Sequence, residues 1–183
     1  DIDSAQAEYL IFLCGGLMTG LASEVEKIGA YARGSKVTRE DIDAVASPVL
    51  DAVVFKMTDA IAGGDFDRAA AVLGDLFQMG QAPIMILSVL GKQLRQLYTA
   101  RLVLEKGRGN GELMELWGMR QSYPAQRLIQ SCRRFSLAWC RRAVTLAADA
   151  DLAMKSSGRD NQELLVDLLL RLARPAREAE KPC

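Results

Sequence analysis

Apolar residues recur at helical spacing along nearly the whole chain, and glycines, prolines and capping residues separate one apolar run from the next. This pattern predicts helices over 4–14 and 17–33, each followed by glycine. Residues 38–41 read Thr-Arg-Glu-Asp, a capping box with Asp in place of Glu, and predict a third helix that Pro48 closes. These three short helices predict a small bundle.

Longer amphipathic helices are predicted after residue 50, where Pro83 suits the first turn of a helix and Asp65 and Ser136 suit N-caps. The predicted helices cover residues 51–63, 66–79, 83–106, 112–117, 122–134, 136–155 and 161–174. No stretch alternates in the manner of a β-strand. The predicted fold class is therefore all-α, with a small three-helix bundle at 1–50 and a larger helical domain at 51–183.

Three of these helices have a predicted buried face. In the helix at 83–106, one stripe with spacings of three, four and three residues consists of Leu87, Leu90, Leu94 and Leu97. In the helix at 136–155, the residues expected to share a face are Leu137, Cys140, Val144, Ala148 and Leu152. In the last helix, the broad face consists of Leu164, Leu165, Leu168, Leu169 and Leu172.

The composition excludes most enzyme chemistry. Because none of the 183 residues is histidine, the chain has no Ser-His-Asp or Cys-His pair, no HExxH or CCHH zinc site and no imidazole base. The four cysteines form no CxxC pair and are interpreted as reduced cytosolic thiols. Gly107, Gly109 and Gly111 follow a helix rather than a strand, so they predict a connector and not a phosphate loop. We predict no catalytic residue, no metal site and no cofactor.

Charge is balanced overall, with 23 basic and 23 acidic residues, but it is unevenly divided along the chain. Residues 1–91 carry 13 acidic and 6 basic residues, residues 92–142 carry 3 and 11, and residues 143–183 carry 7 and 6. The basic segment at 92–142 is typical of a nucleic-acid or acidic-partner surface. Solvated arginines that balance the acidic half internally are the commoner cause of such a segment. Both interpretations stay open.

Two arginine pairs, Arg133-Arg134 and Arg141-Arg142, are the best candidates for an anionic contact, since they flank the helix start at Ser136. No run reaches the roughly 18 apolar residues of a membrane span, and no signal peptide is visible. A cytoplasmic protein without a membrane partner is therefore expected. Because the chain opens Asp-Ile-Asp and enters an apolar helix almost at once, we interpret it as a fragment of a larger protein.

Four short stretches stand out before residue 50, namely Ala-Glu-Tyr-Leu at 7–10, Cys-Gly-Gly at 14–16, Ser-Glu-Val-Glu-Lys at 23–27 and Val-Thr-Arg-Glu-Asp at 37–41. Further stretches follow at 54–61, 64–65, 93–98, 134–137, 150–155 and 163–172. Taken in order, they resemble the delta subunits of the bacterial DNA polymerase III clamp loader, the first four its lid domain and the others its C-terminal collar domain. The resemblance covers nearly the whole chain, and it implies an AAA+ lid at 1–50 and a collar at 51–183.

The resemblance also implies partners. Its collar would assemble with gamma/tau and delta-prime subunits, and the sliding clamp would be reached only through an N-terminal AAA+ domain that these residues do not include. Primer-template DNA would meet the assembled complex, and Lys155 and Arg159 would then be candidate phosphate contacts. The parent complex is catalogued as a DNA-directed DNA polymerase, but this chain is expected to catalyse nothing. The alternative is a stand-alone nucleic-acid-binding or regulatory domain that uses the basic segment at 92–142.

Overall fold

Ten α-helices joined by short turns make up residues 1–34 and 36–174, the part of the chain described by the computed structural model. That part contains no β-strand, so the predicted all-α class is confirmed. In chain order the helices are α1 (Ser4–Cys14), α2 (Met18–Tyr31), α3 (Arg39–Val45), α4 (Leu50–Gly63), α5 (Phe66–Gln78), α6 (Pro83–Glu105), α7 (Asn110–Trp117), α8 (Ser122–Cys132), α9 (Leu137–Ser156) and α10 (Asn161–Ala173). None of them has the length and apolar character needed to cross a membrane.

Helix starts follow the capping signals of the sequence. Thr38 and Asp41 form the predicted capping box at the start of α3. Asp65 accepts a hydrogen bond from a backbone N–H in the first turn of α5, and Ser136 does the same in α9. Pro83 is the first residue of α6, where its missing N–H costs no helical hydrogen bond. Local chemistry is therefore enough to place these four starts.

Helices α1, α2 and α3 enclose a small core of their own. Its most buried side chains include Leu13 of α1, Ile28 of α2 and Ile42 of α3. Ala52 of α4 joins the same cluster, which links this bundle to the rest of the protein. The predicted three-helix bundle is therefore present.

The larger core forms around α6, which packs against α4, α7, α8, α9 and α10. All four leucines of its predicted stripe are buried. The five leucines predicted to face inward from α10 are buried as well. Because α6 packs against five other helices, its buried positions must be apolar, and the stripe is therefore easy to recognise in the sequence.

The predicted face of α9 is partly wrong. Ala148 is exposed and Leu152 has 67% of its surface exposed, whereas the residues buried along α9 are Cys140, Ala143, Leu146, Ala147 and Ala150. Successive steps of four residues turn about 40° around a helix each time, so the predicted row winds out of the core. Cys140, Ala143, Ala147 and Ala150 form a row with steps of three, four and three, Leu146 lies beside it, and three of its four residues are alanine.

Small residues let α9 approach α6 closely. A Cβ built on Gly91 of α6 would lie 4.0 Å from the Cβ of Ala147. At this point of the contact α9 presents only a methyl group to α6, whereas Leu152 lies on the exposed side of α9. The prediction placed Leu152 in the core, but the buried side of α9 consists mainly of alanine.

Aromatic and polar contacts join the small bundle to the larger one. The ring of Phe12 in α1 meets those of Phe55 in α4 and Tyr123 in α8, each at a centroid distance of 5.2 Å. Gln121, the residue at the N-cap of α8, contributes no side-chain cap. Glu8 of α1 takes this role, because its Oε2 accepts hydrogen bonds from Tyr123 N at 3.2 Å and Ser122 Oγ at 2.9 Å.

Replacing Glu8 by alanine is expected to lower the free energy of unfolding by about 0.5–2 kcal/mol, the usual cost of losing an N-cap. The change leaves a first-turn N–H of α8 without its acceptor and removes a negative charge from the positive end of that helix. Urea unfolding followed by circular dichroism measures the loss. Glu26→Ala on the exposed surface of α2 is the matched control, and an equal loss in both variants would contradict the capping role of Glu8.

Candidate functional site

The two predicted arginine pairs lie at the α8–α9 corner, but their side chains have different neighbours. Arg142 donates from Nη1 to the carbonyl oxygen of Arg174 at 2.6 Å and from Nη2 to that of Arg171 at 2.5 Å. It therefore holds α9 against the C-terminal end of α10, where a cation suits the helix dipole. Arg134 points toward α4 instead, with Nη1 3.5 Å from where a Cβ on Gly63 would sit.

Arg133, Arg141, Lys155 and Arg159 are all exposed, but they are spread along the chain from the end of α8 to the turn after α9. Lys155 follows Arg141 by almost four turns of α9, which separates the two by about 20 Å along the axis. The Nζ of Lys155 forms an ion pair with Asp151 at 2.6 Å, the helix-supporting pair expected from their spacing. The six predicted cations thus do not form one continuous site.

Part of the basic segment at 92–142 is balanced internally, as the solvated-arginine interpretation predicts. Four of its cations pair with carboxylates, namely Lys92 with Asp51, Arg101 with Glu105, Arg108 with Glu112 and Arg127 with Asp59. Two of these carboxylates, Asp51 and Asp59, belong to the acidic segment at 1–91. Partly exposed pairs of this kind contribute at most about 1 kcal/mol each.

The buried cysteine thiols are poor nucleophiles at neutral pH. Burial raises the pKa of Cys132 to about 11 and that of Cys140 to about 12, so both thiols stay protonated near neutral pH. The third described thiol, Cys14, is half-buried, and burial also raises its pKa. The three described thiols are thus buried or half-buried side chains of helices, while Cys183 lies outside the described residues.

The junction of α1, α3 and α8 holds a cation between two aromatic rings. The guanidinium carbon of Arg39 lies 3.7 Å from the centroid of the Tyr9 ring, and Nη2 donates to the hydroxyl of Tyr123 at 3.0 Å. Burial and a hydrogen bond donated to Asp43 raise the pKa of Tyr9 to about 12. Tyr9 is therefore neutral and structural. Across residues 1–34 and 36–174, no cluster of three or more potential metal ligands occurs.

A polar cleft of about 710 Å³ opens between α4, α5 and α8, beside Tyr9 of α1. Its charged lining residues are Asp43, Lys56, Asp59, Asp65, Arg68, Arg127 and Arg134. Of these, only Arg134 was among the sequence candidates. Lys56 and Arg68 were not, because nothing in the sequence shows that α4 and α5 bring them next to the end of α8. The cleft is called the α4–α5–α8 cleft below.

Apolar side chains remain exposed on the last two helices. Leu152 of α9 is 67% exposed, and Val166 and Leu170 of α10 are 44% and 61% exposed. Val166 and Leu170 line a shallow depression with Phe77 of α5, and its acidic rim consists of Asp160, Glu163 and Asp167. An apolar surface rimmed by charge is typical of a protein contact. We call it the α5–α10 face.

The molecule is thus an all-α protein in which a three-helix bundle packs against a larger bundle of seven helices. The same fold occurs in the DNA clamp loader delta protein of Bacillus subtilis. The two structures superpose with a TM-score of 0.78 over 94% of this chain and 51% of that one, at 22% sequence identity.

The chain belongs to the DNA polymerase III delta subunit family, because the model of that family's C-terminal domain matches residues 51–172. It is 31% identical over 125 residues to the "Probable DNA polymerase III subunit delta" of Aquifex aeolicus, covering 67% of this chain and 36% of that protein. It is 22% identical over 172 residues to the DNA polymerase III subunit delta of Bacillus subtilis, covering 93% and 49%. The chain therefore spans half or less of the length of these curated relatives. The resemblance to the delta subunit family that the sequence motifs indicated is confirmed.

Proposed function

We propose that this chain is the lid and collar portion of a clamp-loader delta subunit, with an AAA+ lid at 1–50 and an oligomerisation collar at 51–183. In this proposal the chain catalyses nothing itself and assembles in the cytoplasm with gamma/tau and delta-prime subunits. The assembled complex then loads the sliding clamp on primed DNA, and the clamp itself is bound through an AAA+ domain outside these residues. The family match at 51–172 supports this assignment.

The exposed α5–α10 face is the observation that carries the assembly proposal. Val166 and Leu170 lie on the opposite side of α10 from leucines that are almost fully buried, so α10 has an apolar residue on both sides. A helix that is apolar on its solvent side as well as its core side is typical of a helix that becomes buried in a larger assembly.

The charge of this face limits what can cover it. Its rim carries Asp160, Glu163 and Asp167, and its described lining residues include no lysine or arginine, although Arg171 next to the face pairs with Asp167 at 3.9 Å. A complementary partner surface combines apolar side chains with lysines or arginines at its edge, because like charges would repel across the contact. A collar helix of gamma/tau or delta-prime with this composition is the expected partner.

Light scattering after size-exclusion chromatography tests the assembly proposal. The chain is run alone and then mixed with the matching collar fragments of gamma/tau and delta-prime, and a stable mixed complex is expected at micromolar concentration. Leu170→Asp is expected to weaken that complex at least about tenfold, because the new carboxylate would lose its water in the contact. Since Leu170 is exposed, the variant should keep the helical circular dichroism of the unmodified chain.

Leu116→Asp is the matched control, because Leu116 is a similarly exposed leucine on α7. An unchanged complex in Leu170→Asp, or an equal loss in both variants, would contradict assembly through the α5–α10 face. Absence of any complex, together with salt-sensitive DNA binding by the isolated chain, would instead favour the stand-alone domain that uses the basic segment at 92–142.

A further inference from the structure

Two of the three carboxylates that line the α4–α5–α8 cleft are already neutralised. Asp59 forms an ion pair with Arg127 and accepts a hydrogen bond from Ser131 Oγ at 2.6 Å. Asp43 pairs with Arg39, whose Nε lies 3.9 Å from Oδ2. Arg127 and Arg39 therefore offset the charges of Asp59 and Asp43.

Three cations of the cleft remain, and one carboxylate faces them. Lys56, Arg68 and Arg134 form no ion pair within the described part of the chain. Asp65 is the remaining carboxylate, and its Oδ1 accepts the backbone N–H of Arg68 at 3.0 Å as the cap of α5. The cleft thus carries an excess of positive charge, although residues 1–91, which supply most of its lining, are acidic overall.

Arg134 lies against the C-terminal end of α4. Gly63 is the last residue of α4, and Nη1 of Arg134 lies 3.5 Å from its Cβ position, which is an ordinary van der Waals distance. The negative end of the α4 dipole favours a cation there. Arg68 lies in the first turn of the next helix, α5, and Lys56 lies on α4, so three different segments direct cations to one cleft.

We propose that the α4–α5–α8 cleft is a phosphate-binding site, in which Arg68 and Arg134 bind phosphate oxygens through their guanidinium groups and Lys56 adds a point charge. Guanidinium groups form paired hydrogen bonds to phosphate, and an ammonium group stabilises the same anion without directional demands. The phosphate is either part of a nucleic-acid strand or a free anion such as pyrophosphate. This site does not depend on assembly of the chain with other subunits.

The whole chain is titrated with two probes, a short single-stranded oligothymidylate followed by fluorescence anisotropy and pyrophosphate followed by calorimetry. Strand binding is expected with a Kd of roughly 10⁻⁴ to 10⁻⁶ M, the range of contacts made mainly to phosphates. The combined variant Lys56→Ser, Arg68→Ser, Arg134→Ser is expected to bind about tenfold more weakly. Its plot of log K against log salt should also become shallower by about 2, since each contact to a single strand contributes about 0.7.

A second combined variant, Arg33→Ser, Lys36→Ser, Arg174→Ser, removes the same charge at exposed positions outside both the cleft and the basic segment at 92–142, and it is expected to bind like the unmodified chain. Equal losses in the two variants would mean diffuse attraction to surface charge and would overturn the site. If neither probe binds to the unmodified chain, the proposal is overturned as well. Circular dichroism checks that both variants are folded.

The two probes distinguish the sources of the phosphate. Strand binding that the cleft variant loses supports a backbone phosphate as the ligand. Pyrophosphate binding that the cleft variant loses, with strand binding absent or unchanged, supports a free anion. If the cleft variant keeps full affinity for both probes, the cleft is not a phosphate site. None of these outcomes depends on whether the chain forms a complex with gamma/tau or delta-prime, so the two proposals fail separately.

Discussion

Replacing Leu94 by alanine is expected to lower the free energy of unfolding by about 2–5 kcal/mol, the range for a buried leucine whose cavity cannot fully collapse. Leu94 is 1% exposed and lies near the middle of α6, the helix against which five others pack. Rigid neighbours on several sides limit relaxation into the cavity, so the upper half of that range applies. Equilibrium unfolding in urea, with the slope compared between variants, gives the value.

The same substitution at an exposed leucine is the control. Leu116→Ala on α7, where the leucine is 59% exposed, should change the free energy of unfolding by less than about 0.5 kcal/mol. A loss below about 1 kcal/mol in Leu94→Ala would mean that the bundle repacks around α6. In that case α6 would not be the rigid hub that holds the α5–α10 face and the α4–α5–α8 cleft in place.

Local signals in the sequence are enough to predict where most helices begin. Capping boxes, Asp and Ser caps and a first-turn proline act within one turn of the chain, so Thr38, Asp65, Pro83 and Ser136 stand at or next to the starts expected for them. The leucine stripe of α6 is predictable for a related reason, because a helix surrounded by others must be apolar at almost regular spacing.

The buried face of α9 could not be read in the same way. Alanine contributes little to an apolar stripe in the sequence, yet it is the residue that allows the close approach of Ala147 to Gly91. Which side of α9 is buried depends on the shape of α6 opposite it. The apolar pattern of the sequence therefore predicts Leu152 in the core, whereas it lies on the surface.

The candidate cations show a similar limit. Arg142 was expected to bind an anion, but the carbonyl groups at the end of α10 occupy its guanidinium. Lys56 and Arg68 join Arg134 in one cleft through tertiary packing, and no spacing in the sequence marks that convergence. Family resemblance identified the protein class from ordered motifs, whereas the position of each charge required the packed structure.

Replacing Gln93 by alanine is expected to lower the free energy of unfolding by about 2–4 kcal/mol, because a buried side chain and its two hydrogen bonds are lost. Gln93 is 4% exposed, and its Nε2 donates to the carbonyl oxygen of Asp51 at 2.8 Å. Its Oε1 accepts from the hydroxyl of Thr58 at 2.8 Å, and Thr58 is 3% exposed. The side chain thus ties α6 to the first turn of α4.

A double-mutant cycle separates the hydrogen bonds from the volume of the side chain. Gln93→Met nearly keeps the volume and is expected to cost about 1–3 kcal/mol, because the Asp51 carbonyl loses its donor. Thr58→Val leaves Oε1 of Gln93 without its donor. In the double variant both side chains are apolar, so the free-energy cost of the double variant should be smaller than the sum of the two single costs. Strict additivity in urea unfolding would show that these two side chains do not act as a pair.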